Sequence, residues 1–124
     1  MTSEGCWKDA DGTRLGASVA ATYAIMNYFG KEGYCKLNKE LMDNTFYLVE
    51  NLKNLGYNVV VKPELNLVSF NHPTIKPEEF ANILKDKGWF VSVSRCPMAI
   101  RVVLMNHIKK EHLVEFLKDL KDLI

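Results

Sequence analysis

Apolar residues recur along this chain at two periods, and the changes of period mark its elements. Small and apolar residues from Ala17 to Phe29 predict a helix, entered through the turn Gly12 to Gly16 and ended at Gly30. A second helix is predicted from about Gly33 to Leu55, because Leu41, Thr45, Leu48, Leu52 and Leu55 fall on one stripe at helical spacing. Gly56 stops it. Tyr57 to Lys62 then reads as a strand, Pro63-Glu64 as a connection and Leu67 to Asn71 as a second strand able to pair with the first as a hairpin. Pro77 suits a first helical turn, with Glu78 and Glu79 placed to complement the helix dipole. Phe80, Ile83 and Leu84 give that helix its apolar side, and Gly88 closes it. A last amphipathic helix is predicted over Lys110 to Leu123, with Leu113, Phe116, Leu117 and Leu120 inward.

Between these last two helices, the stretch GWFVSVSRCPMAIRVVLMNH from Gly88 to His107 holds two β-rich runs joined by Arg-Cys-Pro. Alternation puts Trp89, Val91 and Val93 on one face of the first run and Ile100, Val102 and Leu104 on the same face of the second. Arg101 then shares the other face with Phe90, Ser92 and Ser94. From Tyr57 onward the order is ββαββα, which predicts an α+β fold: a small, mostly antiparallel four-stranded sheet with helices on one face, preceded by two helices. If the helices cover the first face, Arg101 points away from them.

With 124 residues, the chain is expected to form one domain over 12–124, large enough for a core of its own, behind a polar lead-in of eleven residues, MTSEGCWKDAD, that is loose or held by something else. The 16 basic and 15 acidic residues leave a net charge of +1, so no long-range field favours nucleic acid or an anionic membrane surface. Cys6, Cys35 and Cys96 are odd in number and far apart, without a Cys-x-x-Cys pair or nearby histidines. That argues against a structural metal site or a disulfide framework and for free thiols in a reducing cytoplasm. Leu15 to Phe29 is too short to span a bilayer and is interrupted by Ser18, Thr22, Tyr23, Asn27 and Tyr28, so no targeting segment or membrane partner is expected.

Little in the chain has the pattern of reaction chemistry. Arg101 is either an exposed edge-strand arginine, a surface ion-pair partner, or a fork-shaped donor for a carboxylate, and periodicity does not separate these. Arg95 stands at a strand end and reads as structural. The Gly12-Thr13-Arg14-Leu15-Gly16 turn offers backbone N–H groups and a hydroxyl to an anion ahead of a helix, or is a plain helix entry; it lacks the GxGxxG and GxxxxGK[ST] patterns. His72, His107 and His112 are scattered and read as surface or capping residues. No nucleophile–base or paired-carboxylate spacing exists, and no lysine stands out as a Schiff-base former. No catalytic residue is assigned.

Three blocks, GTRLGASVAATYAIMNYFGKEGY, LGYNVVVKPELNLVSF and DKGWFVSVSRCPMAIRVVLMNHI, resemble the C-terminal third of the pyridoxal-phosphate-dependent group II amino-acid decarboxylases, with a particular likeness to the archaeal L-tyrosine/L-aspartate decarboxylases. The blocks come in that family's order and spacing and cover nearly all of the chain from Gly12. The resemblance implies a fold-type-I architecture in which a large domain holds the cofactor and a smaller C-terminal domain closes over the substrate. It implies that Thr13, aided by Gly12, contacts the cofactor phosphate of a neighbouring subunit. It also implies that Arg101 holds the substrate α-carboxylate, orienting the bond to be broken across the cofactor's π-system. Leu15 and Asn106 depart from the family's usual Ser and Pro, and WKDAD replaces an apolar lead into the turn.

The family's aldimine-forming lysine lies upstream of that turn, and no Ser-x-His-Lys motif occurs in this sequence. The resemblance therefore implies a truncated, cytoplasmic chain that is inactive and binds no pyridoxal phosphate by itself, with a complementary large domain or a second copy as partner and an amino acid as substrate of the full enzyme. A rival expectation is a free-standing interaction or dimerisation module, motivated by the sheet face around Phe90, Ser92, Arg101, Val103 and Met105. A βαββαβ regulatory domain has the wrong element order, and a nucleic-acid binder lacks its basic stripe and aromatic platforms.

Overall fold

The structure, a computed structural model, describes residues 15–124. The chain divides into two units, Met1–Cys35 and Lys36–Ile124. Helix α1 (Gly16–Asn54) breaks at Gly30, whose φ of 58° and ψ of −174° are not helical, so the two predicted helices are there with their boundary at the predicted residue. In the first unit Ala17, Ala20, Ala21 and Ala24 are exposed. Phe29 packs edge-on to Tyr28 and tilted against Tyr34, with ring centroids 5.1 and 5.6 Å apart.

The second unit contains the sheet. Its strands are β1 (Asn58–Val59), β2 (Leu67–Asn71), β3 (Ser92–Arg95) and β4 (Met98–Val103); its other helices are α2 (Pro77–Asp86) and α3 (Lys110–Lys121). All strand pairs are antiparallel, in the order β1-β2-β4-β3. β4 is therefore inserted between β2 and β3, and Arg101 lies on a central strand. The first strand is much shorter than the predicted Tyr57 to Lys62. Val60 N still donates to Ser69 O at 2.9 Å, but Pro63 follows closely and has no N–H to continue a ladder.

Two helix ends show how sequence sets the entry into the sheet. After α1, Gly56 (φ 90°) lets its N–H reach Lys53 O while Tyr57 N reaches Leu52 O; after α2, Gly88 (φ 93°) does the same with Lys85 O, and Trp89 N with Leu84 O. Both are paired bonds of the Schellman type, which need a left-handed residue that glycine supplies at low cost. Each drops an aromatic residue, Tyr57 or Trp89, over the end of its helix.

The core lies on one face of the sheet. Leu48, Leu52, Val68, Phe70, Phe80, Leu84, Ile100 and Leu120 are fully buried, and Leu113, Phe116 and Leu117 nearly so. The predicted stripes of all three helices are thus the buried ones, and at about 1.5–3 kcal/mol for each large apolar side chain they dominate the folding free energy. Trp89 ties the start of the third strand to α3: its Nε1 donates to Asp119 Oδ2 at 2.7 Å, and its ring lies 5.0 Å from Phe116.

Tyr57 has a buried polar tip. Its hydroxyl donates to Leu120 O at 2.9 Å, and burial pushes the phenol up to about 12. In the unfolded chain the group ionises near pH 10, so between about pH 10 and 12 the unfolded state binds fewer protons and stability falls as pH rises. The contribution is fully present below pH 10. Tyr57→Phe is expected to remove this slope, measured as urea midpoint against pH beside the wild type. At neutral pH it should cost only about 1 kcal/mol, because Leu123 N also donates to the Leu120 carbonyl, at 3.1 Å.

Candidate carboxylate-binding site

The hairpin of β3 and β4 sets the site. Its register, Arg95↔Met98, Ser94↔Ala99, Val93↔Ile100 and Ser92↔Arg101, places Arg101 opposite Ser92, while the β2–β4 register places Ser69 on its other side. Buried Phe70 and Ile100 mark the helix face, so Ser69, Arg101 and Ser92 form one row across the opposite, open face. The alternation expected from the sequence holds: Phe90 is 83% exposed, and Trp89, Val91 and Val93 are half-buried against the core. Leu67, Val103 and Phe90 make the adjoining apolar part of that face, all exposed.

The position of β4 corrects one expectation. Arg101 is not an edge-strand residue, because strands flank it on both sides. Among the described residues it belongs to no ion pair; the pair present there is Lys87–Asp119, at 4.0 Å. Arg101 Nε donates to Ser92 Oγ at 3.3 Å, and Ser92 Oγ donates to the Arg101 carbonyl at 3.0 Å. Among the described residues neither Nη group has a partner, which leaves four N–H donors of an exposed, permanent cation.

A cavity of about 360 Å³ adjoins Arg101, lined on the open side by Phe90, Ser92 and Val103 and continuing past Trp89 to Phe116. It lies beyond the end of the β3–β4 ladder, where residues 89–91 are not paired with residues 102–104. The volume suits a small molecule, and a lining of one arginine among mostly apolar side chains suits an anionic group on an apolar body. A second cavity of about 320 Å³, between α1 and the loop before α3, is lined by charges of both signs, Glu40, Asp43, Lys109 and Lys110 among them.

Other predicted positions divide plainly. Gly12, Thr13 and the whole lead-in 1–11 lie outside the described residues. His112 is a capping residue, its Nδ1 accepting from Lys109 N at 3.1 Å. His72 is more than a surface residue: its Nδ1 accepts from Thr74 N and Ile75 N, and its Nε2 lies 3.1 Å from Leu123 O. It stiffens the turn between β2 and α2. Cys35 and Cys96 are free and exposed. Every lysine among the described residues is exposed, whereas an aldimine-forming lysine sits in an enclosed site against its cofactor, so the described residues do not fit an aldimine-bound cofactor. Ser92 was visible in the sequence only as a neighbour on the same face. Counting back from the Cys96-Pro97 turn pairs it with Arg101.

In sequence, 110 residues (89% of this chain) are 56% identical to a protein of Methanothermobacter thermautotrophicus named as a probable L-tyrosine/L-aspartate decarboxylase. The L-tyrosine/L-aspartate decarboxylase of Methanocaldococcus jannaschii is 41% identical over 112 residues, 90% of the chain. The chain is homologous to part of the L-tyrosine/L-aspartate decarboxylases. It spans 30% of the first relative's length and 28% of the second's. No family model matches the chain.

Among solved structures, a sphingosine-1-phosphate lyase of Burkholderia pseudomallei superposes with a TM-score of 0.79 at 22% identity, over 91% of this chain and 26% of that one. A cysteine desulfurase of Thermococcus onnurineus does so with a TM-score of 0.70 at 19% identity, over 80% of this chain and 28% of that one. At these identities the likeness speaks for the fold. It is the α+β fold-type-I architecture expected for homologues of the tyrosine/aspartate decarboxylases. Among the described residues no helix is long and apolar enough to cross a membrane.

Proposed function

We propose that this chain is the small, C-terminal domain of a cytoplasmic, pyridoxal-phosphate-dependent L-amino-acid decarboxylase acting on tyrosine or aspartate, in which Arg101 grips the substrate α-carboxylate. The observation that carries the proposal is the setting of Arg101: a guanidinium in no ion pair among the described residues, on the open face of a central strand, in a chain of which 89% aligns at 56% identity with a probable L-tyrosine/L-aspartate decarboxylase. Two parallel N–H donors match the two oxygens of a carboxylate and fix its plane as well as its position. The cofactor and its lysine belong to a large domain, which this chain meets in a dimeric enzyme. In this reading the contact with the cofactor phosphate falls to Gly12 and Thr13, which lie outside the described residues.

Alone, the 124-residue chain is therefore inactive and binds no cofactor. The test mixes it with pyridoxal phosphate and either tyrosine or aspartate, with and without the lysine-bearing remainder of a tyrosine/aspartate decarboxylase as a separate polypeptide. Carbon dioxide release and aldimine absorbance are expected only with both polypeptides present. Robust turnover by the chain alone would sink the proposal. A silent mixture, together with concentration-dependent self-association in sedimentation, would support instead an interaction module using the exposed row of Leu67, Phe90 and Val103.

A further inference from the structure

The guanidinium of Arg101 has two edges at which a carboxylate can dock: the side formed by Nε and one Nη, and the end formed by the two Nη groups. Ser92 occupies the side. Its Oγ accepts from Nε at 3.3 Å and spends its own proton on the Arg101 carbonyl at 3.0 Å, so the hydroxyl is oriented by the backbone of the residue it orients. This reciprocal pair is built on a register pair of the β3–β4 ladder, Ser92↔Arg101, which holds both backbones in place. On the other flank the register partner is Ser69, too short to crowd the guanidinium.

We propose that Ser92 is the positioning residue of the carboxylate site: by engaging Nε it stops rotation of the exposed guanidinium and leaves the two Nη groups as the docking edge, so that a carboxylate is taken end-on. The proposal rests on the carboxylate-gripping role given to Arg101 above and adds the residue that aims it and the edge that is used. Long exposed side chains lose rotamer freedom when they bind, a cost Ser92 meets in advance. A serine does this without adding bulk to the docking face. An alanine at the same position would leave the arginine charged, exposed and free to turn.

The chain has only three arginines, Arg14, Arg95 and Arg101, so its Nε–Hε nuclear magnetic resonance spectrum is simple, and Arg101→Lys assigns the third signal. In the intact 124-residue chain the Arg101 Nε–Hε proton is expected to exchange with water several-fold more slowly than that of Arg95. Ser92→Ala should abolish the difference, and Ser92→Thr, which keeps the hydroxyl, should restore it. With L-tyrosine as the probe and tyramine as the control lacking a carboxylate, tyrosine is expected to perturb the Nη resonances more than Nε. Ser92→Ala should weaken that binding about fivefold, a modest factor because the hydrogen bond is exposed. Unchanged Nε–Hε exchange in Ser92→Ala, with circular dichroism showing an intact fold, overturns the proposal. If exchange depends on Ser92 but tyrosine and tyramine behave alike, Ser92 still positions Arg101, and it is the carboxylate-gripping role of Arg101 that fails.

Discussion

Phe80→Ala is expected to lower the unfolding free energy by about 3–5 kcal/mol, the range for emptying a fully buried aromatic site. Phe80 has no exposed surface. Its ring lies 5.8 Å from that of Tyr57 and 5.1 Å from that of His72, and Tyr57 packs edge-on to Phe70 at 5.6 Å. Four rings, from α2, β2, the α1–β1 connection and the β2–α2 connection, thus share one volume, and a cavity there cannot close without moving β2. Domains of this size hold roughly 5–15 kcal/mol in total, so the loss takes a large share of the stability and should shift the urea midpoint markedly downward. Urea unfolding followed by circular dichroism checks this, with Phe80→Leu as the milder comparison. A loss under about 1 kcal/mol for the alanine variant would show that the aromatic cluster is not the centre of the core. The effect should also reach the open face, because Phe70 points into the cluster while its neighbour Ser69 stands beside Arg101.

What could be read in advance is what has a short period. Val91 and Val93 against Ile100 and Val102 define a face by alternation alone, and the structure buries that side. Leu48, Leu52, Phe116 and Leu120 follow from helical spacing in the same way. Gly56 and Gly88 mark helix ends because the paired terminal bonds need a left-handed residue. Strand order has no such local signature. The ββαββα sequence is equally compatible with β3 or β4 beside β2, and only the folded chain shows that β4 takes the central place and denies Arg101 an edge. The contacts that secure the fold over distance were invisible for the same reason: Tyr57 to Leu120 spans 63 positions, His72 to Leu123 spans 51 and Trp89 to Asp119 spans 30. Each is a single polar pair without periodicity. The candidate carboxylate site was half legible, since alternation set the face of Arg101 while its hydrogen bonds with Ser92 depend on register. The expected cofactor contacts at Gly12 and Thr13 fall outside the described residues.

On the proposed decarboxylase reading, Arg101→Lys and Arg101→Ala should separate charge from geometry when the chain is combined with the lysine-bearing remainder of a tyrosine/aspartate decarboxylase. Lysine keeps a cation but presents one compact ammonium in place of a planar fork, so it attracts the carboxylate without fixing its plane. A loss of about 10- to 100-fold in kcat/KM is expected, carried substantially by kcat, because the reacting bond is no longer held at one angle. Alanine removes the attraction as well and should cost about 10³-fold or more, with KM rising too. Neither change should move the urea midpoint much, since Arg101 is exposed and bears no part of the core; surface substitutions of this kind fall within about 0.5 kcal/mol. Tyramine, which lacks the carboxylate, should inhibit the wild type and both variants equally. An alanine variant that keeps full kcat/KM would remove Arg101 from the substrate site, whereas one that loses activity together with tyramine binding would show that the residue shapes the cavity and not the carboxylate's grip.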